Sequence, residues 1–332
     1  MKNFLLAVSI LTAISPTLSF ANQFFLAWPT PNPSFAKGLG YSNFLQKTGP
    51  DKDFTSGAYG CVRNHGNKFH EGLDLFPINR TPEGIAEDTI FSAMSGTVAY
   101  ICRSPTDSAY GKYIVLEHEQ FTPVLYTLYA HLEEIHQNLT HRSQVVVAQP
   151  IGKMGNTASF RIPLNRSHLH FEVGIRLSNN FDKWYNRQRF RTPNKHTNYN
   201  GYNLVGLDPL KFYSSYQKYS FSSPRSYLLK LPTITKVQIN FSQTPDLLLR
   251  NPSLLLNPEY NESVKSWVCS FGPFGFPLNF EKSSVSLKQQ ITVLSYDEKN
   301  DSQFCRRMIY KKNGKLFPSE QLIAYLELIF LD

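Results

Sequence analysis

Ser167-His168-Leu169-His170-Phe171-Glu172-Val173 is the stretch on which the reading of this chain turns. Side chains alternate faces along an extended strand, so His168 and His170 share one face and Leu169, Phe171 and Val173 share the other. An apolar face buried beneath two neighbouring imidazoles makes a rigid platform for chemistry. Upstream, Phe69-His70-Glu71-Gly72-Leu73-Asp74-Leu75 has the same character. Read as one strand, it puts His70, Gly72 and Asp74 on one face, with Gly72 leaving open space between the other two, and turns Leu73 and Leu75 into a core. Between the two lies Tyr126-Thr127-Leu128-Tyr129-Ala130-His131-Leu132, a third β-prone run, with His131 near its end.

Imidazole and carboxylate groups are the ligands zinc takes, and a catalytic zinc site uses three of them while keeping a fourth place for water. Two histidines and one aspartate satisfy that rule. Such an ion brings the pKa of its water towards about 7. Amide hydrolysis further requires proton transfer and stabilisation of a developing oxyanion, which two more histidines could supply. Cysteine-ligated zinc is disfavoured because the chain has no Cys-x-x-Cys pair.

The chain resembles the lysostaphin/LytM-type zinc metallopeptidases of peptidoglycan (peptidase family M23, duplicated hybrid motif fold). The resemblance rests on His70-x-x-x-Asp74, on Tyr129-Ala130-His131-Leu132 and on His168-Leu169-His170-Phe171-Glu172. Tyr59-Gly60-Cys61-Val62-Arg63, Ser95-Gly96-Thr97-Val98 and Gly152-Lys153-Met154-Gly155-Asn156-Thr157 also fit, so the likeness covers roughly 56–210. It implies His70, Asp74 and His170 as ligands of one zinc ion per chain. It implies His131 and His168 as catalytic histidines outside the ligand set, one accepting a proton and the other stabilising the oxyanion. It implies a mostly β fold, an antiparallel β-sheet metallopeptidase core with an open groove and the site on its floor. Phe76 to Ile90 is longer than the family's usual link, and Ala158 to Arg166 stands where a Gly-rich turn is common. Both reshape the groove rims, so substrate preference does not carry over. His65, His118, His136, His141 and His196 are expected to be surface or structural residues.

The rest of the chain sets the context. At 332 residues with 41% hydrophobic and 18% charged residues, it is a folded protein, too long for one ordinary core. Its 25 Phe and 18 Tyr favour strands. Lys2, the apolar run Phe4 to Ile14 and Ser19-Phe20-Ala21 read as a cleaved secretory signal over 1–21, with a retained membrane anchor as the alternative. No later stretch is long and apolar enough to span a bilayer, so stable membrane insertion is not expected. Residues 22–50 read as an extended entry segment, in which an asparagine could fill the fourth zinc place. The zinc metallopeptidase domain is placed at 51–214, closed by Leu207-Asp208-Pro209-Leu210, and a smaller β-rich accessory domain at 215–332. Strands are expected at Ile90 to Ile101, Lys112 to His118, Val124 to His131, Val145 to Val147, His168 to Ile175, Tyr227 to Phe241 and Val285 to Tyr296. Ile175 to Asn203 reads as an insertion, either a basic aromatic wall beside a cleft or a solvated loop over packed aromatics.

The formal charge is +9, and +8 without Lys2, which suits anionic cell-wall polymers. Export makes nucleic acid an unlikely partner. Four cysteines in an oxidising compartment suggest two disulfides. Of the three pairings, Cys61–Cys102 with Cys269–Cys305 keeps each bond within one expected domain. The function that follows is a periplasmic or extracellular endopeptidase cutting peptidoglycan stem peptides or cross-bridges. The alternatives are a non-catalytic wall-binding regulator of other hydrolases, which would have no need of all five residues, and an anchoring protein acting through its C-terminal part.

Overall fold

A computed structural model describes residues 24–48, 53–219, 221–301 and 304–331. The expected leader at 1–21 lies outside the described residues.

The chain is mostly β and its named strands pair antiparallel. In order, the strands of the first part are β1 (Gly60–Arg63), β2 (Lys68–His70), β3 (Leu73–Leu75), β4 (Thr89–Phe91), β5 (Gly96–Cys102), β6 (Tyr113–Glu117), β7 (Tyr126–Ala130), β8 (Leu132–Ile135), β9 (Gln144–Val145), β10 (Pro150–Met154), β11 (Leu169–Arg176) and β12 (Leu204–Leu207). Seven of them form the main sheet in the order β12-β11-β7-β6-β5-β9, with β3 also paired to β11. Strands β4, β10 and β8 form a smaller sheet, and β1 and β2 a hairpin. The expected run Ile90 to Ile101 is two strands, separated by residues 92–95. One face of the main sheet buries Leu116, Tyr129, Leu169, Phe171 and Val173 in the large core.

The reading of 69–75 as one strand is corrected. The backbone breaks after His70: β2 pairs with β1, whereas β3 pairs with β11. Gly72 sits at the break. A Cβ there would stand 2.3 Å from the Phe171 carbonyl oxygen, so the glycine admits the backbone of β11 and does not leave open space.

The entry segment is part of the fold. Trp28 stacks on Phe35 at 4.5 Å and meets Tyr213 edge-on at 5.0 Å. Leu45 bridges Leu75, and Gln46 N–H donates to the Asp74 carbonyl. Its described asparagines are engaged locally: the Asn32 amide donates to the Asn43 carbonyl, and the Asn43 amide to the Gly40 carbonyl.

The insertion holds helix α1 (Phe181–Arg187), which buries Phe181, Trp184 and Tyr185. Helix α2 (Pro209–Tyr219) runs across the 214/215 position. Beyond it, α3 (Pro224–Leu228) and α4 (Asp246–Arg250) stand beside the sheet β15-β14-β13-β16, built from β13 (Thr235–Asn240), β14 (Ser266–Phe271), β15 (Pro277–Ser283) and β16 (Ile291–Tyr296). A hairpin, β17 (Ile309–Lys312) and β18 (Lys315–Pro318), precedes α5 (Glu320–Ile329). Of the expected strand Tyr227 to Phe241 only Thr235–Asn240 is strand, because Pro224 opens a helix capped by Ser223 that runs to Leu228.

The disulfide differs from both preferred pairings. Cys61 joins Cys305, 5.7 Å apart at Cα, while Cys102 and Cys269 are buried free thiols. The preference assumed that each domain keeps its own cysteines. Instead the C-terminal region packs on the β1–β2 hairpin: Phe274 lies 4.8 Å from Phe69, and the Arg306 guanidinium 4.3 Å over the same ring. This brings the two distant cysteines within bonding range.

Candidate metal centre

The register of the main sheet creates the site. His170 in β11 stands opposite Asp74 on one side and Ala130 on the other. Directly opposed residues share a face, so the Asp74 carboxylate lies against the His170 ring. His131 follows Ala130 and His168 precedes β11, which brings them to the same place. His70 enters from the end of β2. His70, Asp74 and His170 are buried, and their ligand atoms lie within 4.8 Å of one another.

Each imidazole has one nitrogen occupied and the other turned inward. His70 Nδ1 is 2.7 Å from the Ala58 carbonyl oxygen, His131 Nδ1 is 2.8 Å from that of Thr157, and His168 Nδ1 is 2.7 Å from that of Arg166. A carbonyl only accepts, so the proton is assigned to each Nδ1 and the Nε2 lone pair is left for the site. His170 is reversed: Nε2 donates to Glu172 Oε1 at 2.9 Å and Nδ1 faces Asp74 Oδ1 at 3.1 Å. Glu172 also accepts from the hydroxyls of Tyr110 at 2.6 Å and Tyr126 at 2.8 Å. A carboxylate behind a ligating histidine fixes its tautomer and raises its basicity.

The donor set fits a small divalent cation. His70 Nε2 to His170 Nδ1 is 3.1 Å, His170 Nδ1 to Asp74 Oδ1 is 3.1 Å, and His70 Nε2 to Asp74 Oδ1 is 3.2 Å. The edge of a zinc tetrahedron with ordinary bond lengths is about 3.3 Å. His168 Nε2 is farther out, 3.6 Å from Asp74 Oδ1. The rings of His131 and His168 lie 4.9 Å apart, beside the three.

Electrostatics reinforce this arrangement. Burial opposes ionisation of Asp74, but the Arg63 guanidinium, which bonds Oδ2, and the His70 and His168 rings hold its carboxyl well below the usual range. Burial lowers the pKa of His70 and His168 and pushes that of His131 well down, which favours the uncharged ring in each. Burial also acts against His170, yet its bonds to Asp74 and Glu172 prevail and lift it to about 9 in the metal-free protein.

His131 adopts φ +60°, a left-handed conformation uncommon outside glycine. Its N–H donates to the Tyr110 carbonyl, and its ring to Thr157. Thr157 in turn bonds the Leu132 carbonyl and the Lys112 N–H. Gly111 lets the chain pass this close, since a Cβ there would meet the Thr157 oxygen at 2.1 Å. Backbone strain held by such surroundings is characteristic of functional positions.

All five residues singled out in the sequence therefore converge. Three supporting residues carried no assigned role there: Glu172, Arg63, and Arg80, which donates to the Leu164 and Ser167 carbonyls just before His168. Glu172 had a usable signal, because it lies two residues beyond His170 and so shares its face. Arg63 and Arg80 act across chain distances no local pattern reveals. Among the histidines expected to be surface or structural, His118 is buried between the Ser95 carbonyl and the Thr127 hydroxyl, with its pKa lowered to about 4 by burial. A cavity of about 340 Å³ opens over Asp74, His131 and His168. A larger one of about 1070 Å³ lies by Tyr100, Arg176 and Tyr199 and is lined by none of the five.

Residues 68–182 match the model described as Peptidase family M23, so the resemblance drawn from the motifs is shown for the stretch that holds all five residues. Among solved structures, the catalytic domain of the antimicrobial peptidase lysostaphin from Staphylococcus simulans is similar at 20% identity, covering 53% of this chain and 96% of that one, with a TM-score of 0.30. A zinc-containing peptidase from Vibrio cholerae is similar at 23% identity over 46% of this chain and 37% of that one, TM-score 0.30. Helicobacter pylori Csd3 is similar at 23% identity over 46% of this chain and 30% of that one, TM-score 0.28. The chain thus spans well under half the length of the last two. No curated protein sequence matches it. Among the described residues, no helix is long and apolar enough to cross a membrane.

Proposed function

We propose that the protein is an exported zinc-dependent endopeptidase that hydrolyses amide bonds in the stem peptides or cross-bridges of peptidoglycan. The observation that carries this reading is the convergence of His70, Asp74 and His170 within 4.8 Å. These three would hold the ion, which when bound supplies Lewis acidity and a nucleophilic water. His70 offers Nε2, His170 offers Nδ1 and Asp74 offers Oδ1, while Arg63 neutralises the other Asp74 oxygen.

His131 and His168 each present a bare Nε2 beside the ligands. One would take the proton of the attacking water at that atom; the other would first take up a proton there, becoming an imidazolium, and then donate it to the oxygen on which charge develops. Thr157 and Arg166 hold the two rings by their Nδ1–H groups. Residues 51–214 are taken as the catalytic unit and 215–332 as an accessory unit packed against it. The family match, the disulfide and the basic charge support a periplasmic or cell-wall location.

The test uses the full chain. It should bind one zinc per molecule and release peptide fragments from purified sacculi, with new amino termini visible by mass spectrometry. A protein that binds no zinc and releases no fragment is not this enzyme. One that binds zinc and sacculi without cutting is a wall-binding regulator.

A further inference from the structure

The cavity over the site has an uneven charge. Arg63, Lys68, Arg161 and Arg166 all line it, and Asp74 is the one carboxylate among its lining residues. Asp74 is already engaged by Arg63. Arg166 donates to the Lys47 carbonyl at 2.6 Å and remains partly exposed, while Lys68 and Arg161 are exposed. Phe160, Ile162 and Pro163 complete that wall with apolar surface. Fixed positive charge along low-dielectric walls concentrates a field that attracts anions.

Two of these cations come from the segment 158–166, which departs from the family pattern. That segment is fastened. Arg80, from the other atypical segment, donates to the Leu164 carbonyl at 3.0 Å and the Ser167 carbonyl at 2.9 Å. It also donates to Gly84 at 2.9 Å, and the Asn156 amide closes the loop by donating to the Ile162 carbonyl at 2.7 Å. The two departures thus form one clamped rim that delivers Arg161 and Arg166 beside His168.

We infer that this rim, with Arg63 and Lys68 facing it, selects peptides that carry a free carboxylate within a residue or two of the scissile amide. The inference rests on the hydrolase reading and narrows its substrate class. Guanidinium groups grip carboxylates through paired, charge-assisted hydrogen bonds. An uncharged segment would gain nothing from Lys68, Arg161 and Arg166, the three lining cations that the Arg63–Asp74 pair leaves uncompensated. Arg161 is the substrate-gripping member whose loss should disturb the fold least, since it is exposed and lies away from the ligands.

The test compares two blocked peptides that differ in one group, a free side-chain carboxylate beside the scissile amide or its primary carboxamide. Binding to the zinc-loaded full chain is measured by calorimetry and cleavage by kcat and KM. The acid twin should bind about tenfold more tightly, with the difference in KM. Raising salt from about 0.05 to about 0.5 M should narrow that ratio. Arg161→Gln should narrow it too, and Arg161→Lys should restore part of it. Twins bound and cut alike would overturn the selectivity and leave the hydrolase reading standing. Selective binding of the acid twin with neither twin cut would keep the selectivity and overturn the hydrolase reading. Failure to bind either twin would overturn the selectivity.

Discussion

Two antiparallel sheets in this chain bury polar groups in opposite ways. The β3–β12 sheet encloses four histidines and two carboxylates in one place, and every ring nitrogen there either meets a named acceptor or faces the site. The β13–β16 sheet buries Trp267, Phe271 and Phe280, and its buried polar side chains are uncharged: Thr235, Gln238, Ser266 and Ser270. Gln238 simply bonds the Ser266 hydroxyl at 2.8 Å. A buried ionisable group is costly unless paired, so a cluster of six of them at one place is arranged for chemistry. A sheet whose described residues bury no charged side chain is arranged for cohesion.

The contrast breaks first at the proposed ligands. His170→Ala should drop zinc from one per chain to near none and abolish cleavage. By contrast, His131→Ala should keep the zinc and lose about 10²–10⁴ in kcat, the range of a general acid or base. Metal analysis beside kinetics checks both, and equal zinc loss in the two variants would erase the distinction between holding and reacting residues.

Trp267→Ala tests the other sheet. Its ring is fully buried, and its Nε1 donates to the Gln243 carbonyl. Truncation should cost about 3–5 kcal/mol of stability, read from denaturant unfolding, while the folded fraction keeps its zinc. Zinc lost from that folded fraction would mean that the two sheets act as one unit.

The mildest change is Glu172→Gln. It should weaken zinc binding about 10–100-fold, as loss of a ligand's supporting partner does. The same calorimetry bears on pH. His170 is raised to about 9 without metal, so at neutral pH it is protonated and must lose the Nδ1 proton before that atom can ligate. Zinc uptake near pH 7 should release about one proton from this ring, and affinity should climb as pH rises towards 9. Proton release that is unchanged in Glu172→Gln would separate the basicity of His170 from its carboxylate partner.

The site was legible because its parts obey local rules. Alternation alone put His168 and His170 together with an apolar reverse face, and the motif order supplied His70, Asp74 and His131. What could not be read depends on contacts across long separations. The break after His70 arises because β1 and β11 compete for the two ends of one short stretch. The entry segment reads as an extended lead-in, yet Trp28 and Phe35 find Tyr213 almost two hundred residues on. Tyr227-Leu228 has strand composition, but Pro224 and the Ser223 cap start a helix there. The cysteine pairing was missed for the same reason, because compositional boundaries do not reveal which surfaces meet.

The bond between Cys61 and Cys305 has a practical corollary. It ties the strand bearing Arg63 to the segment bearing Arg306 across 244 residues of sequence. A protease that nicks any one loop between those anchors yields a single covalent particle, still migrating as one band on a gel run without reductant. The hairpin that carries His70 would keep its backing after such damage.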